Sequence, residues 1–234
     1  MAKTVIFKKK TSDGLLQVED TVYDDEAVCF LVINETYQSA MYLDPSKYYD
    51  LVFPYMQRFS YVFQLDETIK DTFLIGGGAF AYPKYYVHQY QNSQITVAET
   101  NTDIISVAFQ YFGLHQLSEE ETQRLHILNE DGFQYLRNQE KKYDLIINDA
   151  FIGKKDQGRS KEETDIIYHS LKENGFYIVN VGTAIAGPLA KKGNTFRKIL
   201  QKKFKHTVMI PCEDDRSPYE IQNVLMIGSD RELV

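Results

Sequence analysis

Apolar and polar residues alternate along the first 45 positions, the period of half-buried strands. Segments Thr4–Lys8, Leu15–Val22, Ala27–Ile33 and Gln38–Leu43 carry the pattern. Polar turns at Thr11-Ser12-Asp13-Gly14 and Asn34-Glu35 separate them. The prediction is a small antiparallel β unit over residues 1–45, closed by Pro45. The period then lengthens. Leu51, Val52, Tyr55, Met56, Phe59 and Val62 fall at helical spacing and predict a helix over Tyr49–Phe63 that starts or kinks at Pro54.

From Thr72 onward short apolar runs alternate with amphipathic stretches. Strands are predicted at Thr72–Ile75, Gln94–Ala98, Leu125–Leu128, Tyr143–Ile147, Phe176–Val181, Thr207–Ile210 and Asn223–Ile227. Helices are predicted over Pro83–Tyr90, Thr102–Phe112, Phe133–Asn138, Lys161–Leu171 and Thr195–Phe204, with Asn174-Gly175 stopping the fourth. Gly153–Arg159 is too polar for core and reads as a loop. Strands and helices in alternation imply a parallel sheet covered by helices, here one α/β domain over residues 46–234. The last two strands, joined by a turn, predict a closing antiparallel hairpin.

Ligands of such sheets bind at the carboxyl ends of the strands. Those ends carry Gly76-Gly77-Gly78, Glu99, Asp131 and Asp149 in succession. Glycines after a first strand let backbone approach a ligand, and the following helix offers free N–H groups. An acid at the tip of the second strand can accept both hydroxyls of a ribose. The pattern predicts a nucleoside-cofactor site. Gly76-x-Gly78-x-x-Ala81 also fits a dinucleotide fingerprint, so an NAD-type enzyme is a competing reading. Asp131-Gly132 and the closing hairpin favour an S-adenosylmethionine-type fold.

A net charge of −7, with scattered lysines, argues against a nucleic-acid partner. No apolar run reaches the roughly 20 residues of a membrane helix, and Met1-Ala2-Lys3-Thr4 opens no secretory h-region. A cytoplasmic protein without membrane contact is the expectation. Cys29 and Cys212 stand apart among apolar residues and are expected as buried thiols. No metal site is expected, since neither cysteine pairs with another and the histidines show no paired spacing. Tyrosines at 37, 42, 48, 49 and 55 cluster near the end of the β unit and can line a pocket or an interface.

Several runs together resemble the spermidine synthase (aminopropyltransferase) family, in its methyltransferase-like branch. They are Gly76-Gly77-Gly78-Ala79-Phe80, Ala98-Glu99-Thr100-Asn101, Ala108-Phe109-Gln110-Tyr111-Phe112, Asp131-Gly132-Phe133 and Tyr143-Asp144-Leu145-Ile146-Ile147-Asn148-Asp149, with Gln38-Ser39 in the β unit. The resemblance implies a class I S-adenosylmethionine-dependent methyltransferase-like (Rossmann-like) α/β sheet. It implies that Gly76, Gly77 and Gly78 pass the sulfonium side chain and that Glu99 binds the ribose. Asp131 would accept from the adenine amino group, with Gly132 permitting a tight turn. Gln38 would close over the amino-acid or aminopropyl end, and Asp149 would lie beside the transferred group. Transfer to an ammonium or hydroxyl is helped by a general base, and Asp149 is the catalytic candidate, the competing reading being a loop acid that bonds backbone N–H groups. A homodimer formed through the β unit is implied as well.

The sequence departs from the family where the amine is held. Asp149-Ala150-Phe151-Ile152-Gly153 stands where the family has Asp-Ser-x-Asp-Pro, Tyr48-Tyr49-Asp50 where it has Tyr-His-Glu, and Ala79 where its glycine loop has Asp. Fewer acids to hold a dicationic polyamine place methyl transfer from S-adenosylmethionine to a small-molecule acceptor, an amine among the candidates, as the first reading. Aminopropyl transfer from decarboxylated S-adenosylmethionine, releasing methylthioadenosine, is the alternative. A non-catalytic nucleoside-binding protein is a third.

Overall fold

The computed structural model describes residues 3–150 and 159–233. Four strands, β1 (Thr4–Thr11), β2 (Gly14–Tyr23), β3 (Glu26–Ile33) and β4 (Thr36–Tyr42), form an antiparallel meander in that order. Two of its turns are two-residue hairpins, at Asp24-Asp25 and Asn34-Glu35, and all four residues have positive φ. That backbone twist matches the right-handed twist of the flanking strands.

A 3-10 turn at Pro45–Lys47, capped by Asp44, leads out of the meander. The helix predicted over Tyr49–Phe63 is broken. Phe53 is extended, as a residue before proline must be, and Pro54 opens α1 (Pro54–Arg58) at its first position. A 3-10 turn at Phe59–Tyr61 joins it to α2 (Val62–Leu65). The chain stays right-handed throughout, so Met56, Phe59 and Val62 still form one buried stripe.

The second sheet holds β5 (Asp71–Ile75), β6 (Gln94–Ala98), β7 (Leu125–Leu128), β8 (Tyr143–Asn148), β9 (Leu171–Thr183), β10 (His206–Pro211) and β11 (Gln222–Ser229). Its order is β10-β11-β9-β8-β5-β6-β7. Strands β5 to β9 pair in parallel, and β11 is antiparallel to both β9 and β10, the closing hairpin expected. The remaining helices are α3 (Ala81–Gln89), α4 (Thr102–Tyr111), α5 (Glu119–Gln123), α6 (Gly132–Asn138), α7 (Lys161–Ser170) and α8 (Lys191–Lys203).

Alternation along each strand divides the core. Leu74, Ile95, Val97, Leu145, Ile147 and Ile178 face α1 to α3. Phe73, Ile75, Ile146, Tyr177 and Val179 face α6 to α8. The meander packs through Leu16, Val18, Cys29 and Leu31 onto Ile104 and Val107 of α4 and onto Ala79 of the glycine loop. Ala79 is fully buried there. A carboxylate at that position would sit in apolar packing without a partner, so alanine serves the junction of the two sheets. Cys29 and Cys212 are both buried and free.

Two sequence expectations need correction. Asn174-Gly175 does not end α7. That helix stops at Ser170, because Leu171 is already extended and pairs with Tyr143 in the sheet. Asn174, in the left-handed region at φ 59°, belongs to an interruption within β9 where the register with β8 shifts. Gly132 does not make a turn of unusual conformation. It is absent from the positive-φ residues, and a Cβ there would meet both branch carbons of Ile75 at 3.0 Å and the Cβ of Ala98 at 3.3 Å. Glycine is needed for α6 to seat on β5 and β6. Short α5 carried a signal that the sequence reading passed over. Ser118 and Glu121 form a reciprocal capping box at its start.

Gly132→Ala is therefore expected to destabilise the fold by overpacking, by about 1–3 kcal/mol. Urea unfolding with an unchanged m-value would check it. A neutral result would show that α6 can slide away from Ile75.

Candidate functional site

Chain direction reverses its course across the sheet at β5. The chain runs outward through β6 and β7, then returns to the other side of β5 as β8, leaving a crevice at the strand ends. Backbone bonds bind these ends together. Gly76 N–H donates to Ala98 O, Glu99 N–H to Leu128 O and Asp149 N–H to Ile75 O, each at 2.9 Å.

One cavity of about 700 Å³ opens there. Gln38, Gly76, Gly77, Gly78, Glu99, Asp131, Gly132 and Asp149 all line it. The structure thus brings every sequence-derived candidate to one place.

The glycine loop is held by what surrounds it. Gly76 has φ 90°, and a Cβ there would lie 3.0 Å from the backbone of Asp149 and Ala150. Only glycine lets the ends of β5 and β8 come this close. A Cβ on Gly77 would strike the ring of Phe80 at 2.8 Å. Phe80 is itself left-handed at φ 60°, fully buried, and precedes α3. Its burial holds a conformation that is costly for a bulky residue. Gly78, at φ 50°, lies 3.5 Å from Ser39 measured from an added Cβ, so β4 covers the loop. Gln38 enters the cavity wall from that strand.

Glu99 is buried beside the loop. Oε2 accepts from the Gly77 N–H at 3.0 Å and Oε1 from the Asn101 N–H at 2.9 Å. Burial pushes its carboxyl upward, while the backbone N–H groups pull it back. Each carboxylate oxygen has a second lone pair, so two hydroxyls of a ribose fit the donor set it would need. Asp131 has a double task. It caps α6, Oδ1 accepting from the Gln134 N–H at 2.8 Å, and its other oxygen makes no described bond. The residues present therefore suit a nucleoside: glycine backbone, a two-oxygen acceptor and a further acid along one wall.

Asp149 forms the deep end. Tyr55 OH donates to Oδ2 at 3.1 Å and Asn180 Nδ2 donates to Oδ1 at 3.0 Å. Burial outweighs both bonds and pushes the carboxyl up to about 7. The run after Asp149 that departs from the family, Phe151-Ile152-Gly153, lies outside the described residues, as does most of the Gly153–Arg159 loop.

Tyr37 and Tyr55, from the tyrosine cluster read as able to line a pocket, also line the cavity. Sequence reasoning missed Asp13, Asn180, Glu213, Arg216 and Asn223, which line it too. Asn180 had a signal, since it lies near the end of the fifth strand, where the strand-end rule applies. Asp13 and Glu213 sit in turns of remote sequence and had none.

The fold is α/β, of the doubly wound, methyltransferase-like class, with a cavity at the strand ends whose lining would suit a nucleoside. The spermine/spermidine synthase domain model matches residues 60–210. The chain belongs to the spermine/spermidine synthase family. Among curated relatives, the polyamine aminopropyltransferase of Lachnospira eligens is 30% identical over 145 residues, 61% of this chain and 49% of that protein. That of Streptococcus uberis is 32% identical over 112 residues, 47% and 39% of the respective chains. The matches thus span about half or less of those relatives' length. Among solved structures, a probable spermidine synthase from Corynebacterium glutamicum superposes with a TM-score of 0.79 at 19% identity, covering 99% of this chain and 81% of that one. Spermidine synthase from Thermotoga maritima gives 0.74 at 17% identity, covering 98% and 74%. Human methyltransferase-like protein 13 in complex with SAH gives 0.56 at 19%, covering 70% and 72%. Likeness at these identities concerns the fold. No helix among the described residues is long and apolar enough to cross a membrane.

The raised carboxyl of Asp149 has a sign that stability can read. Unfolded, it ionises near 3.8; folded, near 7. The fold favours the protonated form, so ionisation costs stability progressively from pH 4 to 7 and fully above 7. Asp149→Asn is expected to match the parent protein near pH 4 and to exceed it by about 4 kcal/mol at pH 8. Thermal unfolding across that range measures the gap. Equal stability at both ends would mean that Asp149 titrates like a surface carboxylate.

Proposed function

We propose that the protein transfers an aminopropyl group from decarboxylated S-adenosylmethionine to an amine. The observation that carries this is the charge of the cavity. Its described lining holds Asp13, Glu99, Asp131, Asp149 and Glu213 against one guanidinium, Arg216. Arg216 is already paired with Glu213. Such a wall repels the carboxylate of an intact methionine tail and attracts the cationic aminopropyl tail. Family membership and the curated aminopropyltransferase relatives support the same choice. The methyl transfer placed first by sequence lacks comparable support. Its premise, a shortage of acids, counted Ala79, Ile152 and the Tyr48-Tyr49-Asp50 run; Asp13 and Glu213 reach the cavity from elsewhere in the chain.

Gly76, Gly77 and Gly78 would hold the cofactor's tail, Glu99 the ribose, and Asp131 the adenine. When bound, the cofactor supplies a carbon activated by a positively charged sulfur. The protein's part is to place the acceptor and exclude water. Asp149 takes the proton from the acceptor ammonium, which frees the nitrogen lone pair. A carboxylate near 7 is a stronger base than an ordinary aspartate and is still ionised in a useful fraction at neutral pH. Tyr55 and Asn180 keep its oxygens turned to the cavity.

Calorimetric titration tests the reading. Decarboxylated S-adenosylmethionine is expected to bind at least about tenfold more tightly than S-adenosylmethionine, a difference of about 1.4 kcal/mol. Incubation with diamines and monoamines should then release methylthioadenosine. Tighter binding of S-adenosylmethionine, with S-adenosylhomocysteine as product, would return the site to methyl transfer. Glu99→Ala is expected to weaken methylthioadenosine binding by about 1.5–3 kcal/mol, the range for hydrogen bonds to a charged group. Unchanged affinity would remove Glu99 from the ribose site.

A further inference from the structure

A line of hydrogen bonds leads outward from Asp149 along the cavity wall. Asn180 uses both Nδ2 hydrogens, donating to Asp149 Oδ1 at 3.0 Å and to Asn223 Oδ1 at 3.2 Å. Asn223 donates in turn from Nδ2 and from its backbone N–H to Glu213 Oε1, both at 3.3 Å. Arg216 Nε closes the line on Glu213 Oε2 at 2.7 Å. The sheet brings the asparagines together. Asn223 pairs with Gly182, two residues beyond Asn180 on β9, so the two side chains are diagonal neighbours on one face.

An asparagine amide reverses at little steric cost, exchanging its donor and acceptor ends. Here each amide has one workable orientation. A reversed Asn180 would set its oxygen against Asp149 and Asn223, both acceptors. A reversed Asn223 would set its oxygen against Glu213. The chosen orientation leaves Asn180 Oδ1 buried with no hydrogen-bond partner among the described residues. An orphaned buried acceptor is costly. The interior tolerates that cost while keeping the N–H end of the amide on Asp149.

We propose that Glu213, acting through Asn223 and Asn180, is a positioning group that holds an N–H against Asp149 and so keeps that carboxylate available to accept a proton. Other charged and titratable groups face the same place. Tyr55 reaches Asp149 from α1. Glu99 and Asp131 line the cavity from the ends of β6 and β7, and Arg216 does so from the β10–β11 loop. Arg159, just ahead of α7, donates to the Asn180 backbone oxygen at 3.3 Å. Cys212 lies near Tyr55.

Two physical effects of Glu213 have opposite signs. Through space its negative charge opposes ionisation of Asp149, so removing it would lower the Asp149 titration midpoint. Through the relay it fixes the amides, so removing its oxygen frees Asn223 and then Asn180 to turn an acceptor toward Asp149, which raises the midpoint.

The test is a carboxyl ¹³C titration of protein labelled at aspartate, with the Asp149 signal assigned by its loss in Asp149→Asn. Glu213→Ala is expected to raise the Asp149 midpoint by about one unit. Glu213→Gln, which keeps an acceptor oxygen but no charge, is expected to leave the midpoint at or slightly below the parent value, since only the through-space effect is lost. Asn223→Ala, which cuts the relay without touching Glu213, should move the midpoint as Glu213→Ala does. A fall or no change in Glu213→Ala or in Asn223→Ala would overturn the relay; if Glu213→Ala does not fold, the other two variants decide. The role of Asp149 as base rests on the proposed transfer reaction, whereas the titration needs no turnover. Absence of aminopropyl product with the expected titration shifts would therefore fault the reaction and leave the relay standing.

Discussion

The site depends on how closely two parallel strands end. Asp149 N–H donates to Ile75 O, and the α-carbon of Gly76 rests on the backbone that follows β8. This contact carries Asp149 to the floor of the crevice, beside the glycine loop. A side chain at position 76 would separate the strand ends, and the glycine loop and the acid would no longer share one cavity. The cover comes from the meander, whose Ser39 lies over Gly78 and whose Leu16, Val18 and Leu31 anchor it to α4 and Ala79.

Burial and charge then divide the work. Glu99 is buried but receives two backbone N–H bonds, which offset much of its desolvation. Asp149 is buried with one phenol and one amide as donors, and desolvation prevails. Two carboxylates in one cavity thus acquire different properties from their donors. The first suits a fixed acceptor of hydroxyls. The second suits a group that exchanges a proton near neutral pH. The described lining carries more acids than cations, the basis of the proposed preference for a cationic tail.

The elements were largely legible because periodicity is local. Gln94–Ala98 and Leu125–Leu128 fall where alternation and apolar runs place them, and the closing hairpin follows from two strands at the end of the chain. Breaks were harder. Pro54 announced an interruption, but whether the helix kinked or restarted depended on how Met56, Phe59 and Val62 packed. Asn174-Gly175 has the composition of a helix stop, yet Leu171 pairs with Tyr143, and the sheet claims the residues that propensity assigns to the helix end.

The sequence by itself determined the acids and glycines at four successive strand ends, since strand order and the rule of binding at carboxyl ends need only local pattern. Tertiary structure alone decided the rest of the cavity. Asp13 and Glu213 arrive from turns that flank opposite ends of the chain, and the amides of Asn180 and Asn223 meet only because β11 inserts between β9 and β10. A contact between residues 43 apart in sequence, such as that pair, leaves no local periodicity to read. It exists only once the sheet has set its order and register.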